Sequence, residues 1–459
     1  MSPSTKTFTI VEYGGFVRNG LPFDGYQSLP EHIFDALEAF ILANHTGSDT
    51  EAVELLSLSV RRGIGKIITA RNYVGLITMK DGTLIEILPK ICGDNVSKEN
   101  TKRIFLEMLR TLKNTPFKNF NMSNLNTDRL SLFEIFISMF IAEITTLVKQ
   151  GLKSVYNMVE ANEQFFKGKL NISQDIKFNY INKTHFFVRY DEWSINRPEN
   201  RLLKATLCFL YKHTQDNQNK LNISRLLFFF DGINSSTDYE TDFSKCTHDR
   251  SMSHYEKSLS WCKVFLRGNS FTAFAGSEVA VALLFPMEKV FESYIAAKLR
   301  RHISHIKSDI LMWTQDTRCY LFDHPSKEFN LRPDIVLEKE KKFIVMDTKW
   351  KLLSENMKNY GISHSDMYQM YVYAKKYNAE KVVLIYPLSE NIHGISFESD
   401  ESDDRVKRIK VEVFLIDLLR PDNNLQSLLE NSAFVDHNSN KRQNPNGNVL
   451  PFLEVFNKK

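Results

Sequence analysis

The stretch that most constrains this chain is Leu331 to Lys351, LRPDIVLEKEKKFIVMDTKWK. Two short apolar runs, Ile335 to Leu337 and Phe343 to Met346, flank a charged segment from Glu338 to Lys342. Runs this short with a polar break between them predict a β-hairpin. Asp334 opens the first strand directly after Pro333, whose missing N–H suits a position just outside a ladder. The second strand closes on Asp347, Thr348 and Lys349. Strand side chains alternate, so Asp347 and Lys349 share one face while Met346 and Thr348 point the other way. In a simple register Asp334 comes near Asp347, and two carboxylates and an ammonium meet at one mouth of the sheet.

That trio has a chemical use. Two carboxylates, helped by a backbone carbonyl such as that of Thr348, suit a hard divalent cation like magnesium, which prefers oxygen ligands and keeps several waters. A neighbouring lysine can orient or deprotonate an attacking water and stabilise charge developing on a phosphate, which fits phosphodiester hydrolysis. The bland alternative is that these are solvated charges at strand ends, a pattern that chance supplies often in a charged chain.

Ser365 to Tyr377, SDMYQMYVYAKKY, reads as a helix with Ser365 or Asp366 as N-cap and Met367, Met370, Tyr371 and Ala374 at helical spacing. Gln369 and Tyr373 lie four apart and share a face. Lys381 to Pro387, KVVLIYP, follows as a buried type of strand.

PD at the head of one strand, DTK at the end of the next and a Gln-x-x-x-Tyr helix before a third strand resemble the PD-(D/E)xK nuclease fold. More narrowly, LRPDIVL, VMDTKWK and DMYQMYVYA resemble the McrC family, the nuclease subunit of McrBC-type restriction systems. The resemblance implies that Asp334 and Asp347 are metal ligands, that Lys349 is the catalytic lysine, and that Gln369 and Tyr373 form the accessory helix motif. Upstream, Ala280 to Arg300 carries a helical stripe of Leu284, Met287, Val290, Phe291, Tyr294 and Ile295, and FPMEKVFESYIA resembles the helix that opens the McrC nuclease domain. In that fold a helix acid can join the metal site. Glu292 and Glu288 are the candidates, with Glu292 preferred beside Phe291; exposed salt bridging is the other reading for either.

A chain of 459 residues implies about two or three domains. Hydrophobic content of 42% and charged content of 25% are those of a water-soluble globular protein. A net charge of +4 says little about a polyanion partner, so any nucleic-acid role rests on local patches. MSPSTKTFTIVEYGG shows no basic segment followed by an apolar one, so no secretory signal is expected. The apolar helix from Leu132 to Val148 is interrupted by Glu134, Ser138 and Glu143, which predicts a core helix and no membrane span. Cys92, Cys208, Cys246, Cys262 and Cys319 contain no Cys-x-x-Cys pair, consistent with a reducing cytoplasm and no structural zinc. His302 and His305 read as solvated neighbours of Arg300 and Arg301 rather than ligands.

Near the N-terminus, Ser28 and Pro30 open a helix with Ile33, Phe34, Leu37, Phe40 and Ile41 on one face. A second helical run is expected from Glu51 to Arg62, ending at Gly63. Tyr73 to Met79 and Thr83 to Leu88 flank Lys80-Asp81-Gly82, a hairpin turn signal. Gly63-Ile64-Gly65-Lys66 lacks the spacing of a phosphate loop and reads as a turn, so nucleotide hydrolysis falls to a partner. YVGLITMKDGTLIEILPKI, Tyr73 to Ile91, again resembles McrC proteins, whose N-terminal region docks onto a hexameric AAA+ GTPase, McrB, and stimulates it. Arg71 and Asn72 can be pictured reaching a nucleotide across a subunit boundary, or simply facing solvent.

Ser97 caps a helix through Ile104, Phe105, Met108, Leu109 and Leu112, and the polar segment Lys113 to Asp128 follows. From Leu130 to about Tyr211 helices are expected to dominate. Gly151 to Leu170 and Asp191 to Lys204 resemble McrC connecting segments; there Lys153, Tyr156, Phe166, Lys167, Lys169 and Arg201 either line a DNA path or are surface charges over an aromatic core. Ser235 to Lys257 reads as a long loop, Phe397 to Asp404 as an acidic turn before a strand at Val411 to Ile416, and His437 to Asn448 as a bend.

The expected architecture is multidomain α/β: a mixed N-terminal domain at 1–113 that docks an AAA+ GTPase, a helical connecting region at 114–270, a PD-(D/E)xK endonuclease domain with a mixed sheet at 271–430 and a tail at 431–459. The resemblance implies magnesium-dependent cleavage of double-stranded DNA, with methylcytosine-containing foreign DNA as the target and a McrB-like partner hydrolysing GTP in the cytoplasm. Two alternatives stay open: a restriction subunit that cuts unmethylated DNA beside a cognate methyltransferase, and a non-catalytic activator of the AAA+ partner.

Overall fold

The computed structural model describes residues 6–19, 25–45, 56–91, 97–113, 115–119, 130–181, 183–247, 249–266, 279–306, 309–388, 392, 395–399 and 408–430. The chain divides into two compact units, Met1–Tyr294 and Ile295–Lys459. Both mix helices with sheets.

In the first unit, β1 (Thr7–Val11), β2 (Gly15–Arg18), β3 (Tyr26–Leu29), α1 (Glu31–His45), β4 (Leu56–Arg61), β5 (Gly65–Ala70), β6 (Tyr73–Met79) and β7 (Leu84–Leu88) build two four-stranded sheets. One runs β3-β2-β5-β4. The other runs β1-β7-β6-β11, its last strand being β11 (Val279–Pro286) from much later in the chain. The apolar face of α1 predicted from its spacing is buried between them: Ile33, Phe34, Leu37, Phe40 and Ile41 share a core with Phe16, Leu29, Ile68, Ile77 and Ile85. The Asp81-Gly82 step closes the antiparallel β6–β7 hairpin.

Three expectations for this unit are corrected. The helix at Glu51 to Arg62 is strand β4 over its described part, because Leu56, Leu58 and Val60 alternate with Ser57 and Ser59 at the strand period; residues 51–55 lie outside the described residues. The helix at Ala280 to Arg300 starts at Met287. Val279 to Phe285 instead pairs with β6, and Pro286 ends that strand where α9 (Met287–Ile306) begins. The loop at Ser235 to Lys257 is largely helical, because Asp238 and Asp249 cap helical turns by accepting from the backbone N–H of Thr241 and Met252.

Between β7 and β11 in chain order come α2 (Lys98–Leu109), α3 (Leu132–Gln150), β8 (Val155–Glu163), β9 (Lys169–Leu170), α4 (Ile172–Asn179), β10 (Phe186–Ser194), α5 (Pro198–His213), α6 (Asn217–Phe228), α7 (Tyr239–Lys245) and α8 (Glu256–Leu266). Ser97 caps α2 as expected, accepting from Asn100 N. α3 is the expected core helix, and no helix among the described residues is long and apolar enough to cross a membrane. Helices dominate the middle of the unit as expected, and a three-stranded sheet, β8-β10-β9, stands among them. Tyr156, Met158 and Trp193 on this sheet, and Phe166 between β8 and β9, are exposed.

The second unit is built on a six-stranded mixed sheet in the order β12-β15-β16-β17-β19-β18. Its elements are β12 (Leu311–Thr314), β13 (Tyr320–Phe322), β14 (Glu328–Asn330), β15 (Ile335–Lys339), β16 (Lys342–Thr348), α10 (His364–Lys376), β17 (Lys381–Pro387), β18 (Ile395–Glu398), β19 (Lys410–Ile416) and α11 (Pro421–Glu430). β15 and β16 form the expected hairpin around Glu340 and Lys341, both at positive φ, as a tight hairpin turn requires. β16 and β17 are parallel, so the chain must cross over between them, and α10 is that crossover. Its buried Met370, Tyr373 and Ala374 pack on Val345, Val382 and Leu384. Tyr371 of the predicted stripe is exposed, and the cap is Ser363 rather than Ser365 or Asp366. The acidic turn begins as strand β18; residues 400–404 of it, like the bend at 437–448 and the tail at 431–459, lie outside the described residues.

Gly75 tests the β6–β11 seam. Its φ is +144°, and an added Cβ would stand 2.0 Å from the carbonyl oxygen of Leu283. Gly75→Ala should cost about 2 kcal/mol or more in chemical denaturation. Gly63→Ala has a positive φ but open space around it, so it should cost clearly less.

Candidate active site

The hairpin register places the first carboxylate. Ile335 stands opposite Met346, so the next step sets Asp334 across from Asp347 at the open end. Asp334 is fixed there by three donors. Thr348 gives its backbone N–H and its hydroxyl to Oδ2, at 2.8 and 2.7 Å, and Gln315 Nε2 reaches Oδ1 at 3.1 Å. Gln315 sits just past β12 at φ +51°, and its N–H also donates to the Asp334 carbonyl at 3.0 Å.

Asp347 is only 3% exposed. Alternation puts it on the same face as Val345, the face that α10 covers. Burial first, and the Asp334 charge second, push its carboxyl up to about 6, against the pull of Lys349. Lys349 is the partner expected from the shared face: its Nζ lies 2.8 Å from Asp347 Oδ2. It also lies 3.5 Å from Asp366 Oδ1 and 3.3 Å from Gln369 Oε1. Burial works against the Lys349 charge, but Asp347, Asp366 and Asp334 together outweigh it and raise its pKa. Gln369 in turn donates to the Tyr373 hydroxyl at 2.8 Å, and Tyr373 is raised by burial and then by Asp347.

The five residues Asp334, Asp347, Lys349, Gln369 and Tyr373 therefore meet at the carboxyl end of β16, beneath α10. Open α/β sheets commonly place their sites at the carboxyl ends of parallel strands. Two participants were missed. Asp366 reads from sequence as a cap or an ordinary first-turn acid. Gln315 lies in a bend whose positive φ nothing in the sequence announces. Glu292 is half-buried on the part of α9 that belongs to the first unit, and Glu288, exposed, accepts from Asn72 Nδ2 at 3.4 Å. Asn72 is thus held by its own unit. Arg201, expected either on a DNA path or at the surface, is committed to Asp242 at 2.5 Å, and Lys167 to Glu163 at 3.6 Å.

The donor set suits a hard dication. Among the described residues no group of three or more His, Cys, Asp and Glu could hold a metal, so a cation here would rest on two carboxylates, carbonyl oxygen and water. Magnesium accepts that combination and zinc does not favour it. Two carboxylates of which one is buried also lose their mutual repulsion when a cation is shared between them.

A family model described as McrBC 5-methylcytosine restriction system component matches residues 68–387. The chain belongs to this family. It is 24% identical to the type IV methyl-directed restriction enzyme EcoKMcrBC of Escherichia coli (strain K12) over 270 residues, 53% of this chain and 73% of that protein. A refined half-complex from a tetradecameric assembly of Thermococcus gammatolerans McrB AAA+ hexamers with bound McrC contains a chain of the same fold. The match has a TM-score of 0.66 and 21% identity, and covers 93% of this chain and 100% of that one. A cryo-EM structure of the Thermococcus gammatolerans McrBC complex matches at TM-score 0.47 and 21% identity, over 66% of this chain and 89% of that one.

Ionised Asp347 weakens the cation-free fold. Its folded-state pKa of about 6 exceeds the ordinary carboxylate value, so the folded chain binds this proton more tightly than the unfolded one. Stability should fall as pH rises from about 4 to about 6, leaving a cost on the order of 1–3 kcal/mol at neutral pH. Asp347→Asn is expected to raise the thermal midpoint in chelator at neutral pH and to lose that advantage near pH 4. A midpoint gain that is the same at both pH values would overturn this account.

Proposed function

We propose that this chain is the magnesium-dependent DNA endonuclease subunit of a McrBC-type restriction system, with a PD-(D/E)xK nuclease domain in its C-terminal unit. The observation that carries the reading is the meeting of Asp334, Asp347 and Lys349 at one sheet mouth beneath the Gln369–Tyr373 helix. Asp334 and Asp347 would hold the cation. When bound, magnesium supplies Lewis-acid stabilisation of the phosphate and lowers the pKa of water. Lys349 supports the nucleophile or the charge that develops in the transition state. Gln369 holds Lys349 in place and Tyr373 holds Gln369.

The partner would be a McrB-like AAA+ GTPase hexamer in the cytoplasm, hydrolysing GTP that this chain does not. Family membership supports this, as does the relation to a fold found bound to McrB hexamers in Thermococcus gammatolerans. The N-terminal domain at 1–113 would be the docking element, joined through 114–270. The exposed apolar residues of β8, α4 and β10, among them Tyr156, Ile172, Phe178 and Trp193, add surface suited to a protein contact. Double-stranded DNA carrying methylcytosine is the proposed substrate, in keeping with the family's description.

The test is cleavage of methylated and unmethylated plasmid by the chain plus its AAA+ partner, with magnesium and GTP or ATP. Methylated plasmid alone should be cut. Asp347→Ala should lower cleavage at least about 1000-fold while partner assembly persists. Cutting of unmethylated plasmid would point instead to a system paired with a methyltransferase. GTPase stimulation by a wild-type chain that never cuts would make it an activator alone.

A further inference from the structure

Asp366 has no role in the chemistry assigned so far. It stands in the first turn of α10, yet the cap of that helix is Ser363, whose hydroxyl accepts from Asp366 N at 3.1 Å. The Asp366 carboxylate is therefore not needed for capping. It turns to Lys349 Nζ at 3.5 Å, a looser contact than the 2.8 Å between Lys349 and Asp347. Lys349 thus has one carboxylate on the strand side and a second on the helix side.

Tyr386 lines the same space from the sheet side. Thr348 is in register with Ile385, so Tyr386 stands one step along β17, level with Lys349. It packs in the core beneath α10, and its fully buried hydroxyl has no hydrogen-bond partner among the described residues. The charges that act on it are Asp366 and Asp347.

We propose that Asp366 is a positioning residue that takes over the Lys349 ammonium when a divalent cation engages Asp334 and Asp347. This rests on the function proposed above. A carboxylate that shares its charge with a dication attracts an ammonium less, and the dication itself repels it. Without a second anion, Lys349, partly open to solvent, would swing away. Asp366 prevents this because α10 is locked by its cap and by buried Met370, Tyr373 and Ala374. Gln369 steadies the same ammonium from the next turn.

The experiment uses the full chain. Cleavage with the AAA+ partner, Mn²⁺ binding by calorimetry and a Ca²⁺-loaded structure are compared for wild type, Asp366→Asn, Asp366→Glu and Asp347→Asn. Asp366→Asn is expected to lower kcat about 10- to 100-fold while the KM for DNA and the Mn²⁺ affinity stay within about threefold. Asp366→Glu should recover most of the rate. In the Ca²⁺-loaded wild type, Lys349 Nζ should lie about 3 Å from the Asp366 carboxylate.

Unchanged cleavage by Asp366→Asn would overturn the proposal. So would a Ca²⁺-loaded structure with Lys349 still closest to Asp347. Loss of Mn²⁺ binding as complete as in Asp347→Asn would make Asp366 a ligand and overturn it too. Wild-type cleavage by Asp347→Asn, with no Mn²⁺ bound by any variant, would remove the functional reading itself and this inference with it.

Discussion

Asp347 is ionised at neutral pH only against the cost of its burial, and much of the C-terminal unit can be understood as the means by which that charge is tolerated. Strand alternation drives its side chain under α10, where water cannot reach it. Asp334 opposite makes matters worse, since two like charges in low dielectric raise each other's energy. Lys349, just past the end of the same strand, offsets part of this, and Asp366 and Gln369 hold Lys349 from above. An arrangement of this kind is poor as a stabilising device, because apolar residues of similar volume would fill the space at lower cost. It makes sense where a cation is to be received.

Topology supplies the rest. An antiparallel hairpin brings Asp334 and Asp347 together over a short loop, and the parallel β16–β17 pair forces a crossover above the strand ends. Because the crossover is α10, residues well beyond Lys349 in sequence return to within hydrogen-bond distance of it. The site is therefore assembled from a hairpin mouth and a helix that the hairpin's own connectivity requires. Gln315, just past the edge strand β12, adds the last support to Asp334.

The legible parts of this were those with a clean period. Ile335 to Leu337 and Phe343 to Met346 are short apolar runs with a charged break, and the predicted hairpin, its register and the shared face of Asp347 and Lys349 all follow from that. Gln369 and Tyr373 were readable by their helical spacing, as was the buried face of α1. Val279 to Phe285 was not, because an unbroken apolar run has no period to separate a buried strand from a helix. Only Pro286 hinted at a boundary. Leu56 to Val60 alternated at period two, and the charged residues that follow masked it. The polar stretch after Ser235 read as loop because Asp238 and Asp249, which cap helical turns, are also loop formers.

Asp366 exposes a deeper limit of reading a site from sequence. An acid in the first turn of a helix already has an explanation, since it favours the helix dipole and can cap the backbone. Its second partner lies on a strand, and only the crossover geometry brings the two together. The same holds for Tyr386, which in a run such as KVVLIYP is indistinguishable from core until its hydroxyl is found buried and without a hydrogen-bond partner among the described residues. Residues that touch the reacting atoms tend to fall in short motifs, because strand ends and helix faces place them locally. Residues that hold those first ones in place come from whichever element packs on top, so their spacing in sequence is set by loop lengths rather than by chemistry. The supporting layer of a site is for this reason the part that structure adds.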